Sequence, residues 1–110
     1  MGSGSTLRSA RDFHRVMAAG RVARRGVLTA VVVVREDEMG SRLGLAVRTR
    51  GGSVVRNRVR RRLREAFRRC DAEPGLDVVV RADERAGEVA FQELVEDLCG
   101  AVAIAAGVRG

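Results

Sequence analysis

Residues 53–70 read SVVRNRVRRRLREAFRRC, and the rest of the chain is organised around this stretch. Its apolar residues recur three or four positions apart, which is the spacing of one face of an α-helix. They are Val55, Val59, Leu63, Ala66, Phe67 and Cys70. Together they cover an arc about 120° wide, as expected of a helix half-buried in a core. The stretch therefore predicts a long amphipathic helix, although Arg56 falls inside its apolar arc.

The polar side of this helix is almost purely cationic. The stretch holds eight arginines and one acid, Glu65, so its net charge of +7 equals that of the whole chain. Arginines four positions apart, such as Arg60 and Arg64, repel each other by roughly a few tenths of a kcal/mol. A helix face that only meets solvent normally mixes both signs of charge. The pattern favours binding to nucleic acid over a solvated face, and over a membrane because the apolar arc has one aromatic residue and no Trp.

Length and composition predict one small cytoplasmic domain. The chain has 110 residues, 45% of them apolar, which is enough for a modest core. Its apolar runs are far shorter than the roughly 20 residues that span a bilayer, and the N-terminus lacks a secretory signal. Cys70 and Cys99 are isolated and lack metal-ligand spacing, so we expect two buried free thiols in a reducing compartment.

The N-terminal half predicts a helix and two strands. Residues 1–6 are expected to be a flexible segment or an expression remnant, and a helix capped by Thr6 or Ser9 is expected to end near Ala19. The β-branched run 27–35 predicts a strand buried on both faces.

The segment that follows predicts a second strand over residues 42–49. It is expected to pair antiparallel with the first strand across the polar turn 36–41. The three acids at 36–38 favour such a turn over a metal site. Gly51 and Gly52 are expected to form a turn before the basic helix, with Ser53 as its cap.

The C-terminal third is acidic, with nine acids and three arginines from Asp71 onward. It predicts a central strand over residues 77–82, a loop over 83–87 and an amphipathic helix over 88–99 that the tail extends. The charge is thus separated along the chain, which orients a polyanion towards the basic helix.

No catalytic constellation emerges from the sequence. The one histidine, His14, has no nucleophile or orienting partner placed near it, and the serines lie in turns. Gly51 and Gly52 are too weak a signal for a phosphate-binding loop. The chain on its own is therefore not expected to be an enzyme.

The motif Arg56-Asn57-Arg58, continued by VRRRLRE, resembles the signature of the bacterial ribonuclease P protein subunit. The similarity covers residues 7–98 and includes the N-terminal RDFHRV segment and the GLDVVVRA strand. This sequence departs from the family in having Met17 where a second aromatic residue often follows the one matching Phe13. It also has a loop, VRTRGG, that is one residue shorter.

The resemblance implies an α/β (α+β) two-layer sandwich, with three helices packed on a four-stranded mixed sheet. Residues 7–106 would form this single RNA-binding domain, with an extra short strand near residues 21–25. The crossover through the basic helix would be left-handed, against the general preference for right-handed connections.

The resemblance also implies the function. The family's ribonucleoprotein removes the 5′ leader of precursor tRNA, and its RNA subunit catalyses the reaction with Mg²⁺. The expected partners are this catalytic RNA and the precursor tRNA, with no membrane and no protein partner evident. The alternative is a structural RNA-binding protein of ribosomal type.

Two sets of site residues follow from the motif match. The set expected to bind RNA consists of Arg56, Asn57, Arg58, Arg60, Arg61, Arg62, Arg64 and Arg68. The set expected to line a groove for the leader consists of Arg8, Arg11, Phe13, Met17 and Arg48. For Phe13 a role in the core is an equally good interpretation.

Overall fold

Three helices and four strands make up the part of the chain that the computed structural model describes, residues 6, 7, 9–35, 37 and 39–107. In chain order they are α1 (Ala10–Ala19), β1 (Arg21–Arg25), β2 (Leu28–Val34), β3 (Arg42–Val47), α2 (Gly52–Arg68), β4 (Leu76–Ala82) and α3 (Phe91–Ala105). A single 3₁₀ turn, Glu84–Gly87, lies where a loop was expected.

The strands form one mixed sheet in the order β1, β2, β4, β3. β2 is antiparallel to both β1 and β4, whereas β3 is parallel to β4. This confirms the mixed four-stranded sheet with three helices, including the short strand near residues 21–25. The parallel pair is connected through α2; the left-handed sense of this crossover stays a prediction.

The predicted hairpin between residues 27–35 and 42–49 is wrong, because β4 lies between β2 and β3. The first five residues of β4 are buried, so the backbone groups on both of its edges need strand partners. The turn after β2 is held by the segment that leads into β4. The Arg35 N–H donates to the Gly75 carbonyl at 2.7 Å, and the Gly75 N–H donates to the Met39 carbonyl at 2.8 Å.

The two faces of the sheet are covered by different helices, because successive side chains of a strand point to opposite faces. On one face, α2 and α3 pack over residues such as Val32, Val78 and Val80 in the larger core. On the other face, α1 packs over Val31 and Val79. The buried side of α2 is the predicted one and consists of Val59, Leu63, Ala66 and Phe67.

Two helix starts differ from their predictions, because α2 begins at Gly52 and α3 begins at Phe91 instead of residue 88. Ser9 caps α1, since its Oγ accepts a hydrogen bond from the Asp12 N–H at 3.0 Å. The prediction that Ser53 caps α2 is wrong, because α2 begins at Gly52 with Gly51 in the cap position and no side-chain cap. Gly52 has φ of +78°, a backbone conformation that glycine adopts without strain. The C-terminal helix does extend through the tail, to Ala105.

Cys70 and Cys99 form a disulfide that joins the end of α2 to α3. The expectation of two free buried thiols is therefore wrong. The two cysteines lie 29 residues apart in sequence, and the packing of α2 against α3 brings their Cα atoms to 5.0 Å. Two cysteines so far apart carry no pairing signal in the sequence.

Within the described residues, no helix is long and apolar enough to cross a membrane.

Candidate nucleic-acid interface

The outer side of α2 exposes a continuous set of polar side chains. Its exposed members are Arg56, Asn57, Arg58, Arg61, Arg64 and Arg68, and Arg60 is half-buried. Among the described residues this set makes a single ion pair, between Arg68 and Glu65 at 3.5 Å. The protein therefore leaves most of the positive charge of α2 uncompensated, and a nearby polyanion is strongly attracted to it.

Arg56 reaches solvent even though its angle lies inside the apolar arc. The first turn of α2 extends beyond the core, as the 81% exposure of Val54 shows. Both Arg56 and the neighbouring Asn57 are therefore accessible from outside, at the end of α2 where the chain turns at Gly51 and Gly52.

Arg62 has a second set of contacts inside the protein. Its guanidinium donates to the carbonyl oxygens of Ala86 at 3.1 Å and Val89 at 2.6 Å. It also lies 5.9 Å from the centre of the Phe91 ring, and Arg69 lies 5.3 Å from the same ring. These contacts hold α2 against the segment that precedes α3. Contact of Arg62 with RNA stays a prediction. Some of the N–H donors of its guanidinium group are already hydrogen-bonded within the protein.

α1 is seated on the sheet by a small apolar cluster. Val16 is fully buried against Val31 and Val79, and the partly buried Phe13 and Met17 pack against this cluster. Phe13 and Met17 are half-buried, so each contributes both to the core and to the surface. The two interpretations of Phe13 are thus compatible with each other. Arg11 and His14 lie on the exposed side of α1, and Arg8 lies outside the described residues.

A buried carboxylate fixes the same helix electrostatically. Asp77 has no exposed side-chain surface and accepts hydrogen bonds from Arg15 of α1 at 2.6 Å, Arg42 of β3 at 2.9 and 2.8 Å, and Arg35 after β2 at 2.5 Å. Burial alone would raise the pKa of Asp77, but the hydrogen bonds from Arg42, Arg15 and Arg35 outweigh it and lower the pKa to about 2. The carboxylate therefore stays charged and connects α1 to the sheet.

A cleft of about 750 Å³ lies between the C-terminal end of α1 and the C-terminal ends of strands β3 and β4. We call it the sheet-end cleft; its lining includes Met17, Arg24, Thr29, Arg48, Arg81 and Arg85. Arg24, Thr29 and Arg81 lie side by side across three strands. Arg85 is paired with Asp83 at 3.0 Å, whereas the other three arginines form no ion pair with the described residues. The cleft combines a cationic rim with an adaptable apolar wall at Met17.

A second cleft, of about 580 Å³, lies beside the N-terminal part of α1, along the edge of the sheet that β3 forms. We call it the edge groove; it is lined by the N-terminal segment, Phe13, the middle of β3 and the side of α2 that carries Arg60, Arg64, Phe67 and Arg68. The structure thus brings Met17 and Arg48 together in one cleft and places Phe13 in another.

A family model described as Ribonuclease P matches residues 1–105. The chain belongs to the ribonuclease P protein family. The ribonuclease P protein component of Gluconacetobacter diazotrophicus is 36% identical over 108 residues, which cover 94% of this chain and 92% of that protein. The corresponding protein of Acidothermus cellulolyticus is 39% identical over 95 residues, covering 83% and 79%.

Solved structures of the ribonuclease P protein family have the same fold. The ribonuclease P protein of Thermotoga maritima is 26% identical, with a TM-score of 0.73 and coverage of 96% of this chain and 99% of that one. The protein from Staphylococcus aureus, at 22% identity, has a TM-score of 0.77 with coverage of 93% and 95%. Membership places the chain in ribonuclease P, a tRNA-processing ribonucleoprotein, and makes the RNA of that particle its partner.

In this ribonuclease P protein, sequence reasoning missed three arginines of the sheet-end cleft and the buried Asp77. Arg24 and Arg81 each directly follow a buried strand residue. Because successive side chains of a strand point to opposite faces, this position indicates that both arginines point away from the larger core. Arg85 lies in a segment expected to be a loop. For Asp77 no local signal existed, because its three partners lie 35 to 62 positions away in the sequence.

Proposed function

We propose that this chain serves ribonuclease P by holding two RNA segments, the catalytic RNA on α2 and the 5′ leader of precursor tRNA in the sheet-end cleft. Positioning the leader would assist its Mg²⁺-dependent endonucleolytic removal, in the cytoplasm. The observation that carries the proposal is the arginine face of α2, which forms one ion pair with the described residues. Arginine recognises phosphate through a planar, bidentate guanidinium, and a folded RNA offers a dense array of phosphates.

The sheet-end cleft suits a single strand of variable sequence. Arg24, Arg48 and Arg81 offer charge to a phosphate backbone, while Met17 offers an apolar surface that fits different bases. Binding of this kind depends on charge and stacking and tolerates many sequences. The leaders of different precursor tRNAs require that tolerance, since one protein must accept all of them.

Catalysis is assigned in this proposal to the RNA, with Mg²⁺ bound there. The described residues contain no group of three or more His, Cys, Asp or Glu side chains placed to hold a metal ion. The arginines of α2 would reduce the need for Mg²⁺, because they neutralise phosphates that cations must otherwise screen.

The first experiment measures cleavage of a precursor tRNA by the cognate RNA across a series of Mg²⁺ concentrations. We expect no cleavage by the protein alone and faster cleavage by the RNA at low Mg²⁺ when the protein is added. Absence of stimulation at every salt and Mg²⁺ concentration would refute the proposal. The alternative, a ribosomal-type RNA-binding protein, predicts binding without stimulation and is not favoured by the comparisons.

The leader site is tested by comparing precursor and mature tRNA as ligands of the reconstituted particle. Arg48→Ala should weaken binding of the precursor several-fold and leave mature tRNA unaffected, because only the precursor has a leader. Arg21→Ala is the matched control, since it removes the same charge from the exposed strand β1 and does not line the cleft. Equal losses for both tRNAs would remove the leader from this cleft.

The proposed binding of RNA to the arginine face of α2 is tested by the dependence of RNA affinity on salt concentration. Arg→Ala changes at Arg58, Arg61 and Arg64 should each flatten the plot of log K against log salt by about one unit per lost phosphate contact. Arg21→Ala again controls for the loss of one positive charge, at the far edge of the sheet from α2. A slope that none of the three changes alters would exclude α2 from the RNA interface.

A further inference from the structure

We propose that Cys70 and Cys99 form a redox-sensitive site, at which a small thiol opens and closes the disulfide and thereby changes the affinity of α2 for RNA. That α2 binds RNA is taken from the function proposed above, whereas the disulfide and its accessibility do not depend on it. The co-reactant is a thiol and disulfide couple of the glutathione class. In the cytoplasm, where we place the protein, disulfides are usually transient and redox-sensing, because the thiol pool reduces them.

The disulfide is accessible to a small thiol. Both cysteines are only partly buried, and both line a cavity of about 240 Å³ between the loop after α2 and the C-terminal half of α3. Exchange requires that the attacking sulfur reach a disulfide sulfur, and the cavity provides this approach. The cavity shares no lining residue with the sheet-end cleft or the edge groove. A thiol bound there therefore leaves both clefts open.

The exchange is balanced by two molecules of glutathione. In the oxidising direction, one cysteine thiolate attacks glutathione disulfide, forms a mixed disulfide and releases one glutathione. The other cysteine then attacks the protein sulfur of the mixed disulfide and releases the second glutathione. The protein loses two electrons and two protons, and glutathione disulfide gains them. The Cα atoms of Cys70 and Cys99 lie 5.0 Å apart, within the usual range for a disulfide, so closure needs no backbone movement.

The disulfide anchors the C-terminal end of α2. The helix ends at Arg68, two residues before Cys70, and its last buried residue is Phe67. Arg68 and Arg69 are both exposed, and the ion pair of Arg68 at 3.5 Å is with Glu65 of the same helix. That pair does not tie the last turn to the rest of the protein. Helix ends without tertiary anchors fray, so we expect the last turn to become mobile when the disulfide opens.

The backbone just after the disulfide favours the same outcome. Asp71 has φ of +51°, a conformation that few residues other than glycine adopt. The cross-link at Cys70 helps to hold the chain in this conformation. Once the cross-link is opened, Asp71 is free to relax, and the chain next to Arg69 moves with it.

The middle of α2 has anchors that do not depend on the disulfide. Val59 and Leu63 are fully buried, and Arg62 donates to the carbonyl oxygens of Ala86 at 3.1 Å and Val89 at 2.6 Å. Opening of the disulfide therefore acts on the last turn of α2 and leaves the earlier arginines in place. We expect the reduced protein to bind RNA about tenfold more weakly, which is the effect of losing about one charged hydrogen bond to phosphate.

The test compares the affinities of the oxidised and reduced full-length protein for the cognate ribonuclease P RNA. It is carried out at a temperature at which circular dichroism shows both forms to be equally folded. We expect about tenfold weaker binding after reduction, and Cys70→Ser should show the weaker affinity in both buffers. In a variant that combines Arg68→Ala with Arg69→Ala the difference should disappear, because these are the side chains that the disulfide orders.

Arg58→Ala is the matched control. Arg58 lies about three helical turns before Cys70, so its removal should weaken RNA binding and leave the tenfold difference between the redox states intact. A disulfide that only stabilised the fold as a whole would act equally on the Arg58 variant and on the Arg68 and Arg69 variant.

Linkage gives a second readout. If oxidation tightens RNA binding tenfold, bound RNA must favour the disulfide by the same factor. For a two-electron couple this lowers the midpoint potential by about 30 mV. The midpoint is measured in glutathione buffers of graded composition, with and without saturating RNA, by trapping the free thiols with a maleimide.

Four results would each overturn the proposal: equal RNA affinities in the two redox states, a midpoint that RNA does not shift, a redox difference that survives in the Arg68 and Arg69 variant, or unfolding of the reduced protein. Weaker RNA binding by Arg58→Ala alongside any of them would leave the proposed function standing. If Arg58→Ala and the Arg68 and Arg69 variant both bind RNA as the parent does, the proposed binding of RNA on α2 fails instead.

Discussion

Replacing Asp77 by Asn should destabilise the protein more than any other single charge removal in the described chain. Asp77 is fully buried and holds guanidinium groups from three separate elements, those of Arg15, Arg35 and Arg42. Asn keeps the shape but loses the charge, so three cations remain with no acid in their centre. Breaking a buried ion pair from one side typically costs 3–5 kcal/mol. Because Arg15 is 42% exposed and can turn to water, we expect about 3 kcal/mol.

This loss is measured by urea and thermal unfolding. A decrease of about 3 kcal/mol corresponds to a fall in Tm of roughly 10–20 °C for a domain of this size. Asp37→Asn is the matched control: it also removes a carboxylate bonded to Arg35, but an exposed one, and its effect should be much smaller. If Asp77→Asn and Asp37→Asn have equal effects, the buried cluster does not stabilise the fold and the reasoning fails.

The pH dependence of stability gives the same prediction an independent readout. The folded-state pKa of Asp77, about 2, lies below its ordinary value of 3.8, so its contribution is complete above pH 3.8 and is lost as the pH falls towards 2. In this window the parent should lose at most about 1.4 kcal/mol per pH unit through Asp77 alone. Asp77→Asn should lack that component and show a flatter decline. Parallel curves would contradict the charged state of Asp77.

Three further predictions concern stability. Gly44→Ala should cost about 1–3 kcal/mol in urea unfolding, because its Cβ would stand 2.9 Å from the Phe13 ring; an unchanged midpoint would refute this packing. Reduction of the Cys70–Cys99 disulfide, which closes a loop with a sequence separation of 29, should cost about 3–4 kcal/mol by the loop-entropy relation. Thermal unfolding with and without reductant measures it, and equal Tm values would contradict it. Ser9→Ala should cost about 1 kcal/mol of unfolding free energy through the lost cap of α1, with Ser9→Thr as the tolerated control.

The elements that sequence reasoning predicted well are those whose signal is local. The spacing of apolar residues in α2 predicted its buried side, and the runs of β-branched residues predicted β2 and β4. Both patterns depend only on residues that are close together in the sequence. Strand pairing was predicted wrongly where it depended on a distant partner. Nothing near residues 28–47 indicates that β4, more than 25 residues later, inserts between β2 and β3.

The candidate site shows the same limit at α1. Phe13 and Met17 are one helical turn apart, so the sequence groups them on one face of α1. In the structure Val16 is buried against the sheet, while Met17 lines the sheet-end cleft and Phe13 lines the edge groove. Which cleft each residue lines depends on where α1 crosses the sheet, and that position is set in part by the contact of Arg15 with Asp77.

Charge counting treats the eight arginines of residues 53–70 as one surface, but the fold gives them three environments. Arg56, Arg58 and Arg61 face solvent, Arg60, Arg64 and Arg68 line the edge groove, and Arg62 and Arg69 lie beside Phe91 at the start of α3. The protein itself stabilises two of these cations: the carbonyls of Ala86 and Val89 accept hydrogen bonds from Arg62, and the Phe91 ring lies beside Arg62 and Arg69. These contacts offset part of the repulsion between neighbouring arginines of α2. A polyanion is therefore required to relieve only the first two groups. These are the arginines whose removal should change the salt dependence of RNA binding, whereas removal of Arg62 should first loosen α2 from the domain.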